Sequence, residues 1–250
     1  MNKEEYNVMF NIEDDYWWYV GLRNLVLSSI NSVYCNASGL TMLDAGCGTG
    51  KTLETLREQA IYGIDYSPYA IGFCKQRELN NVTRSSICSV PFKNNSFDVV
   101  ISLDVLYHLG VDNDVAALRE LCNAMKEGGI ILLNLPAYNF LRSRHDDVIH
   151  TKRRYTIKVL KKKMEKAGFV VKKITYRNTF LSPVAFIKRL ADKILASRSS
   201  IEESDLRPLP AFLNKLLTQL LLFENRLILS GVTFPFGLSV FCVGKKRASF

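Results

Sequence analysis

The chain has 250 residues, 48% of them hydrophobic and 23% charged, and carries a net charge of +9 at pH 7; these proportions suit one large α/β domain with insertions. No run of roughly 18 uncharged apolar residues occurs, which excludes a spanning helix. The start, Met1-Asn2-Lys3-Glu4-Glu5, lacks the basic, apolar and small-residue blocks of a secretory leader. Cys35, Cys47, Cys74, Cys88, Cys122 and Cys242 form no C-x-x-C pair or Cys/His cluster. No metal is therefore expected, and a reducing, cytoplasmic compartment is the economical reading.

Residues 1–36 read as a helical extension with an aromatic cluster, Tyr16-Trp17-Trp18-Tyr19. From Leu40 onward, short apolar runs alternate with amphipathic stretches. The strand expectations are Thr41–Ala45, Ile61–Asp65, Thr83–Cys88, Phe97–Leu103, Gly129–Leu135, Phe169–Tyr176 and Leu238–Val243. Helical patterns fall at Lys51–Gln59, Pro68–Asn80, Asp112–Met125 and Thr156–Ala167. Such alternation implies parallel strands joined by right-handed crossovers. The expected fold is α/β: a Rossmann-like, seven-stranded, mostly parallel sheet with helices on both faces and helical cap insertions. The expected organisation is a single domain, with a helical lid at 1–36, a cofactor-binding core at 37–135, an active-site loop at 136–155 and a helical insertion at 178–235. That insertion contains two helical stretches, Pro183–Leu195 and Pro210–Leu229, around a polar linker, Ser197–Pro208.

The sharpest local signal is Met42-Leu43-Asp44-Ala45-Gly46-Cys47-Gly48-Thr49-Gly50, between an expected strand and an expected helix. Glycines there permit a tight turn and close approach of a ligand to the backbone. A dinucleotide fingerprint needs a third glycine where Lys51 stands, and a P-loop lysine motif is also absent. Asp44 ahead of the turn disfavours a nearby pyrophosphate and favours a cationic amine. Asp65, 19 residues after Gly46, can accept both hydroxyl hydrogens of a ribose. Its other reading is a cap for the helix at Pro68, a role that Ser67 fills better.

These segments resemble the class I S-adenosylmethionine-dependent methyltransferases. Leu43 to Gly50 looks like their first motif and Gly63-Ile64-Asp65-Tyr66-Ser67 like their acidic second-strand motif. The stretches Val90 to Val100, Val105-Leu106-Tyr107-His108-Leu109 and Leu118 to Leu132 are similar to the segments that follow. The resemblance covers about residues 40–135. It implies S-adenosyl-L-methionine as cofactor, with Asp44, Ala45, Gly46, Cys47 and Gly48 around its methionine part. Asp65 would take the ribose, Tyr66, Ser67, Ser86 and Ile87 would lie about the adenine, and Leu103 would stand beside the methionine. The N-terminal Trp18 and Arg23 resemble a "W-W/F-x-x-R" lid, Arg23 meeting the cofactor carboxylate; the competing reading packs these aromatics on the sheet edge.

Residues 142–156, Arg142 to Thr156, resemble the "H-D…H-x-R-R-Y-T" segment of a methyltransferase subgroup. His145 or His150 can act as a base oriented by Asp146 or Asp147, and Arg153 and Arg154 can clamp an anionic acceptor, with Tyr155 beside them. A salt-bridged loop docking the next helix, with Thr156 as its cap, explains the same residues. His108 reads as packing or cofactor-adjacent. Between Lys152 and Arg177 stand eleven Lys or Arg residues and one acid, Glu165; a membrane surface, a nucleic acid, an anionic substrate or a solvated helix face each fits. Leu209–Leu229, apolar on more than one face, fits a peripheral membrane contact, a core helix or a dimer contact.

The leading expectation is methyl transfer to an O- or N-acceptor on a small molecule, anionic or lipid-linked, in the cytoplasm or at its membrane surface. Nucleic acid is disfavoured, because no N/D-P-P-Y/F motif follows the fourth strand and Ser102-Leu103-Asp104-Val105 stands there. The alternatives are an RNA methyltransferase, supported by the charge, and an inactive S-adenosylmethionine-binding partner protein. The sequence leaves the oligomeric state open.

Overall fold

The computed structural model describes residues 2–34, 39–142, 146, 149–183, 186 and 209–248. Seven strands form one sheet: β1 (Thr41–Ala45), β2 (Ala60–Asp65), β3 (Val82–Arg84), β4 (Phe97–Leu103), β5 (Met125–Pro136), β6 (Phe169–Arg177) and β7 (Ser239–Lys246). The helices are α1 (Lys3–Ile12), α2 (Trp17–Tyr34), α3 (Lys51–Thr55), α4 (Pro68–Gln76), α5 (Asp114–Ala124), α6 (Ile157–Lys166) and α7 (Ala211–Leu229), with a single 3-10 turn at Asn139–Leu141.

Strand order is β3-β2-β1-β4-β5-β7-β6. All pairs are parallel except those of β7, which runs antiparallel to both β5 and β6. The chain order reverses between β1 and β4, so the carboxyl ends of β1, β2, β4, β5 and β6 share one edge. In open α/β sheets that edge, at the reversal, is where ligands bind.

Both sheet faces are covered, which is why the central strands read as nearly continuous apolar runs. One face, with Leu43, Val100, Ile131 and Leu133, packs under Leu118 and Leu121 of α5 and Leu160 and Met164 of α6. The other, with Met42, Ile101, Leu132 and Phe241, packs under Leu22, Leu25, Val26 and Ile30 of α2. Truncating one such leucine to alanine costs about 2–5 kcal/mol.

Several boundaries differ from expectation. β3 stops at Arg84 because Ser85, Ser86 and Ser89 turn on one another through side-chain and backbone hydrogen bonds. α5 ends at Ala124, and β5 already starts at Met125, before Gly128-Gly129. A Cβ on Gly129 would stand 2.9 Å from the Asp98 carbonyl oxygen, so the glycine lets the two strands close.

The expected helix Pro183–Leu195 and linker Ser197–Pro208 lie largely outside the described residues. The second expected helix is α7, and it runs against α2. Asn225 Nδ2 donates to the Gly21 carbonyl (2.8 Å) and to Asn24 Oδ1 (3.0 Å), and Leu221 and Ile228 are fully buried. Core packing therefore takes one face of Leu209–Leu229, while Phe212, Leu216 and Phe223 are exposed. Among the described residues, no helix is long and apolar enough to cross a membrane.

Candidate active site

The turn after β1 is fastened to β2. The Gly46 and Cys47 amides donate to the Ile64 carbonyl (2.8 and 3.0 Å), and the Gly48 amide donates to Asp65 Oδ2 (3.0 Å). Gly46, Gly48 and Gly50 have φ of +96°, +54° and +85°, the left-handed region where side chains strain the backbone. Any Cβ on Gly46 would meet Val105 Cγ2 at 2.1 Å.

Asp44 is 3% exposed, and its carboxylate makes no hydrogen bond or ion pair among the described residues. Burial, and then the charge of Asp65, pushes its pKa up to about 7. Burial likewise raises Asp65. A buried carboxylate without a partner is costly, and an incoming cation relieves that cost. Ser67 stands at the N-cap of α4 without a side-chain cap bond; Asp65 Oδ1 accepts the Ser67 amide instead (2.8 Å). The expectation that Ser67 does the capping is thus corrected: Asp65 ties the turns after β1 and β2 together. The Tyr6 hydroxyl also bonds Asp65, so one oxygen keeps a lone pair for a further hydroxyl donor, and displacing Tyr6 opens a second.

α1 lies across this turn. A Cβ on Gly48 would meet the Met9 methyl at 2.9 Å. Tyr6 is buried beside Asp65 and Ser67, and its phenol is raised by burial and by the Asp65 charge. Thr49 Oγ1 donates to Glu13, which also pairs with Arg77 at 2.8 Å. The atom covering Gly48 belongs to the flexible end of Met9, whereas Val105 covers Gly46 and Leu79 and Cys74 cover Gly50. A cleft of about 520 Å³ separates α1 from α4, lined by Lys3, Asn7, Phe10, Tyr69 and Gln76 among others. The chemistry of the donors fits an adenosyl amino acid: two raised carboxylates await an ammonium and sugar hydroxyls, and a glycine turn offers close approach.

The remaining expected cofactor residues scatter more. Ala45 is fully buried, with its carbonyl taken by Ser102 Oγ. Cys47 packs beside Cys74 and beneath Gly63. Tyr66 is 72% exposed with the Arg84 guanidinium 5.8 Å from its ring centroid. Ser86 accepts the Cys88 amide and Ile87 is in the core. Leu103 is half-buried against the α2 side of the sheet. Arg23 donates to the Asp14 carbonyl (3.0 Å) and lies beside Thr52 and Thr55, whereas the Trp18 ring lies under Arg177. These two lid residues do not converge on one group.

The loop after β5 is a clamp on the protein itself. Arg154 forms a two-pronged pair with Asp146 (2.8 and 2.8 Å) and donates to the Ala137 carbonyl (2.9 Å); both partners are buried. Arg153 donates to the Val111 and Asp112 carbonyls (2.7 and 3.1 Å) and pairs with Asp114 (3.2 Å). The fully enclosed Tyr155 bonds Asp114 and the Leu106 carbonyl, and its phenol is raised by burial. The anion clamp expected of Arg153 and Arg154, and the substrate contact expected of Tyr155, are therefore corrected: their donors hold the loop to the β4–α5 connection. Thr156 caps α6 as expected, accepting the Val159 amide. His145 lies outside the described residues. His150 is exposed with φ +58°, and its ring meets that of His108 edge-on at 5.8 Å. Burial lowers His108 to about 4, so it is neutral near pH 7.

Sequence reasoning missed a polar group at the ends of β4, β5 and β6. Asp104 is half-buried in a left-handed conformation (φ +57°), a strain typical of functional positions. Asn134 Nδ2 donates to both its oxygens (3.1 and 2.9 Å), and burial raises its pKa to about 6. Burial and the Asp104 charge both raise the phenol of Tyr107; for Tyr19, Glu13 and Asp104 add to burial. The available signal was position: Asp104 and Asn134 stand beside the ends of expected strands.

Residues 43–133 match the family model described as "Methyltransferase domain". Within that segment the chain is similar to a methyltransferase domain. A tRNA (carboxymethyluridine(34)-5-O)-methyltransferase of Xenopus tropicalis is 32% identical over 96 residues, 38% of this chain and 15% of that protein. The Arabidopsis thaliana protein of the same name is 32% identical over 99 residues, 39% of this chain and 24% of that protein. The match thus spans a minor part of these curated relatives. The methyltransferase crystallised with the Haloferax volcanii Trm112 activator shares the fold at TM-score 0.61 and 17% identity, covering 99% of this chain and 95% of that one.

The first two relatives correct the expectation that set nucleic acid aside for a small molecule, since both are named for tRNA.

Proposed function

We propose that this domain transfers a methyl group from S-adenosylmethionine to an oxygen acceptor on RNA, in the class of a modified uridine of tRNA. The observation that carries the reading is the shared segment with two proteins named for methylating an oxygen of carboxymethyluridine. The charge distribution supports it. Lys158, Lys161, Lys162 and Lys166 of α6, with Lys152 and Lys172, are exposed. Clustered cations of this kind bind a phosphate backbone and release its counterions.

The bound cofactor supplies an electrophilic methyl group. The protein's part is alignment and exclusion of water. Asp44 would hold the ammonium, Asp65 the sugar hydroxyls, and the β4 and β5 ends would face the acceptor. No carboxylate orients either ring nitrogen of His150 among the described residues; an ionised acceptor oxygen requires no such base.

The test incubates the protein with methyl-labelled S-adenosylmethionine and unfractionated tRNA. The expected result is acid-precipitable label that ribonuclease releases, and binding that weakens steeply with salt. Failure to label tRNA by protein that binds S-adenosylhomocysteine calorimetrically refutes the acceptor class.

A further inference from the structure

Most buried side-chain nitrogens and oxygens without a partner belong to one neighbourhood. Arg177 is 0% exposed, and among the described residues Nε, Nη1 and Nη2 have no hydrogen-bond partner; nor do both side-chain polar atoms of Asn178 and the side-chain oxygens of Asn134 and Asn225. The guanidinium lies 5.2 Å from the Trp18 ring centroid, and Nη2 comes within 3.3 Å of where a Cβ on Gly21 would stand. The guanidinium is therefore enclosed between α2 and α7 on one side and, on the other, the carboxyl ends of β5 and β6 with the amino end of β7 between them.

The nearby carboxylates do not neutralise this cation by contact. Glu224 is taken by the amides of Asn178, Thr179 and Phe180. Asp104 is taken by Asn134. An arginine stripped of water with all its donors unused is expensive to keep, and an oxyanion matches its planar fork.

We propose that Arg177 is the anion-binding residue of the acceptor site and that it takes a carboxylate. A bridging phosphate carries sugars on both sides and does not reach a fully buried guanidinium, whereas a carboxylate on a short arm does. Asp104, near the methyl-bearing side of the sheet, bounds the same space, and Trp18 supplies an aromatic wall under the guanidinium. The acceptor role rests on the RNA-methylation reading above; the carboxylate site itself does not.

Three measurements test it. Sodium acetate is titrated against chloride at equal ionic strength, with the fluorescence of Trp17 and Trp18 as readout. A saturable change in the wild type that Arg177→Met abolishes is expected; no change, or the same change in the variant, overturns the proposal. Next, 5-carboxymethyluridine, its neutral carboxamide and uridine 5′-monophosphate are titrated in the presence of S-adenosylhomocysteine. The acid should bind at least about tenfold tighter than the amide. Arg177→Met should erase that preference, and Arg177→Lys should reduce it. Equal binding of acid and amide, or preference for the monophosphate, overturns the assignment.

Finally, the unliganded Arg177→Met protein should melt no lower than the wild type, because an unpaired buried charge has been removed. A fall of several degrees marks a structural ion pair with Glu224 or Asp104 and overturns the proposal. An acetate response without tRNA labelling refutes the RNA reading alone, and tRNA labelling without an acetate response refutes this inference alone.

Discussion

The raised pKa of Asp44 makes cofactor affinity depend on pH in a calculable way. Burial and Asp65 hold its proton to about pH 7 in the free protein, while the ammonium of an amino acid stays charged up to about pH 7.7. Only the ionised carboxylate pairs with that ammonium. Affinity for S-adenosylhomocysteine should therefore fall as pH falls, with binding releasing close to one proton per site near pH 6. Asp44 is about three-quarters ionised at pH 7.5 and about 3% ionised at pH 5.5, so the dissociation constant should rise roughly 25-fold across that interval. Calorimetric titrations at pH 5.5, 6.5 and 7.5, in two buffers of different ionisation enthalpy, measure both quantities. Asp44→Asn should bind weakly at pH 7.5 and show a flatter profile, its remaining slope belonging to Asp65. A dissociation constant unchanged from pH 7.5 to 5.5 in folded protein refutes the argument, as does the same slope in Asp44→Asn.

Arg154→Ala leaves Asp146, itself 1% exposed, without its guanidinium, and should cost about 3–5 kcal/mol of stability in urea denaturation; a loss below 1 kcal/mol would mean that the loop does not depend on the pair. Gly46→Ala strains a φ of +96° and drives a methyl group into Val105. It should abolish measurable S-adenosylhomocysteine binding, and wild-type affinity in that variant would show that the turn has room to spare.

The glycine turn after β1 and the acid ending β2 were legible because such features are local in sequence, and their geometry follows from a few residues. Thr41–Ala45 and Phe97–Leu103 stand as expected because central parallel strands are continuous apolar runs. The acceptor half was not legible. Arg153 and Arg154 look like a clamp in one dimension, but their partners Asp114 and Asp146 were visible only once the loop folded back. Arg177 looked like the last member of a basic run, and only burial at the end of β6 separated it from its solvated neighbours. The nucleic-acid question turned on a motif whose absence carried less information than the charge did.

One helix, α1, shields the glycine turn. Glu13 anchors its far end through Thr49 and Arg77, while Met9 and Tyr6 occupy the threshold. A ligand entering the turn therefore has to push the Met9 methyl and the Tyr6 ring aside while Glu13 stays fastened, so side chains of α1, not of the sheet, set the room above Gly48.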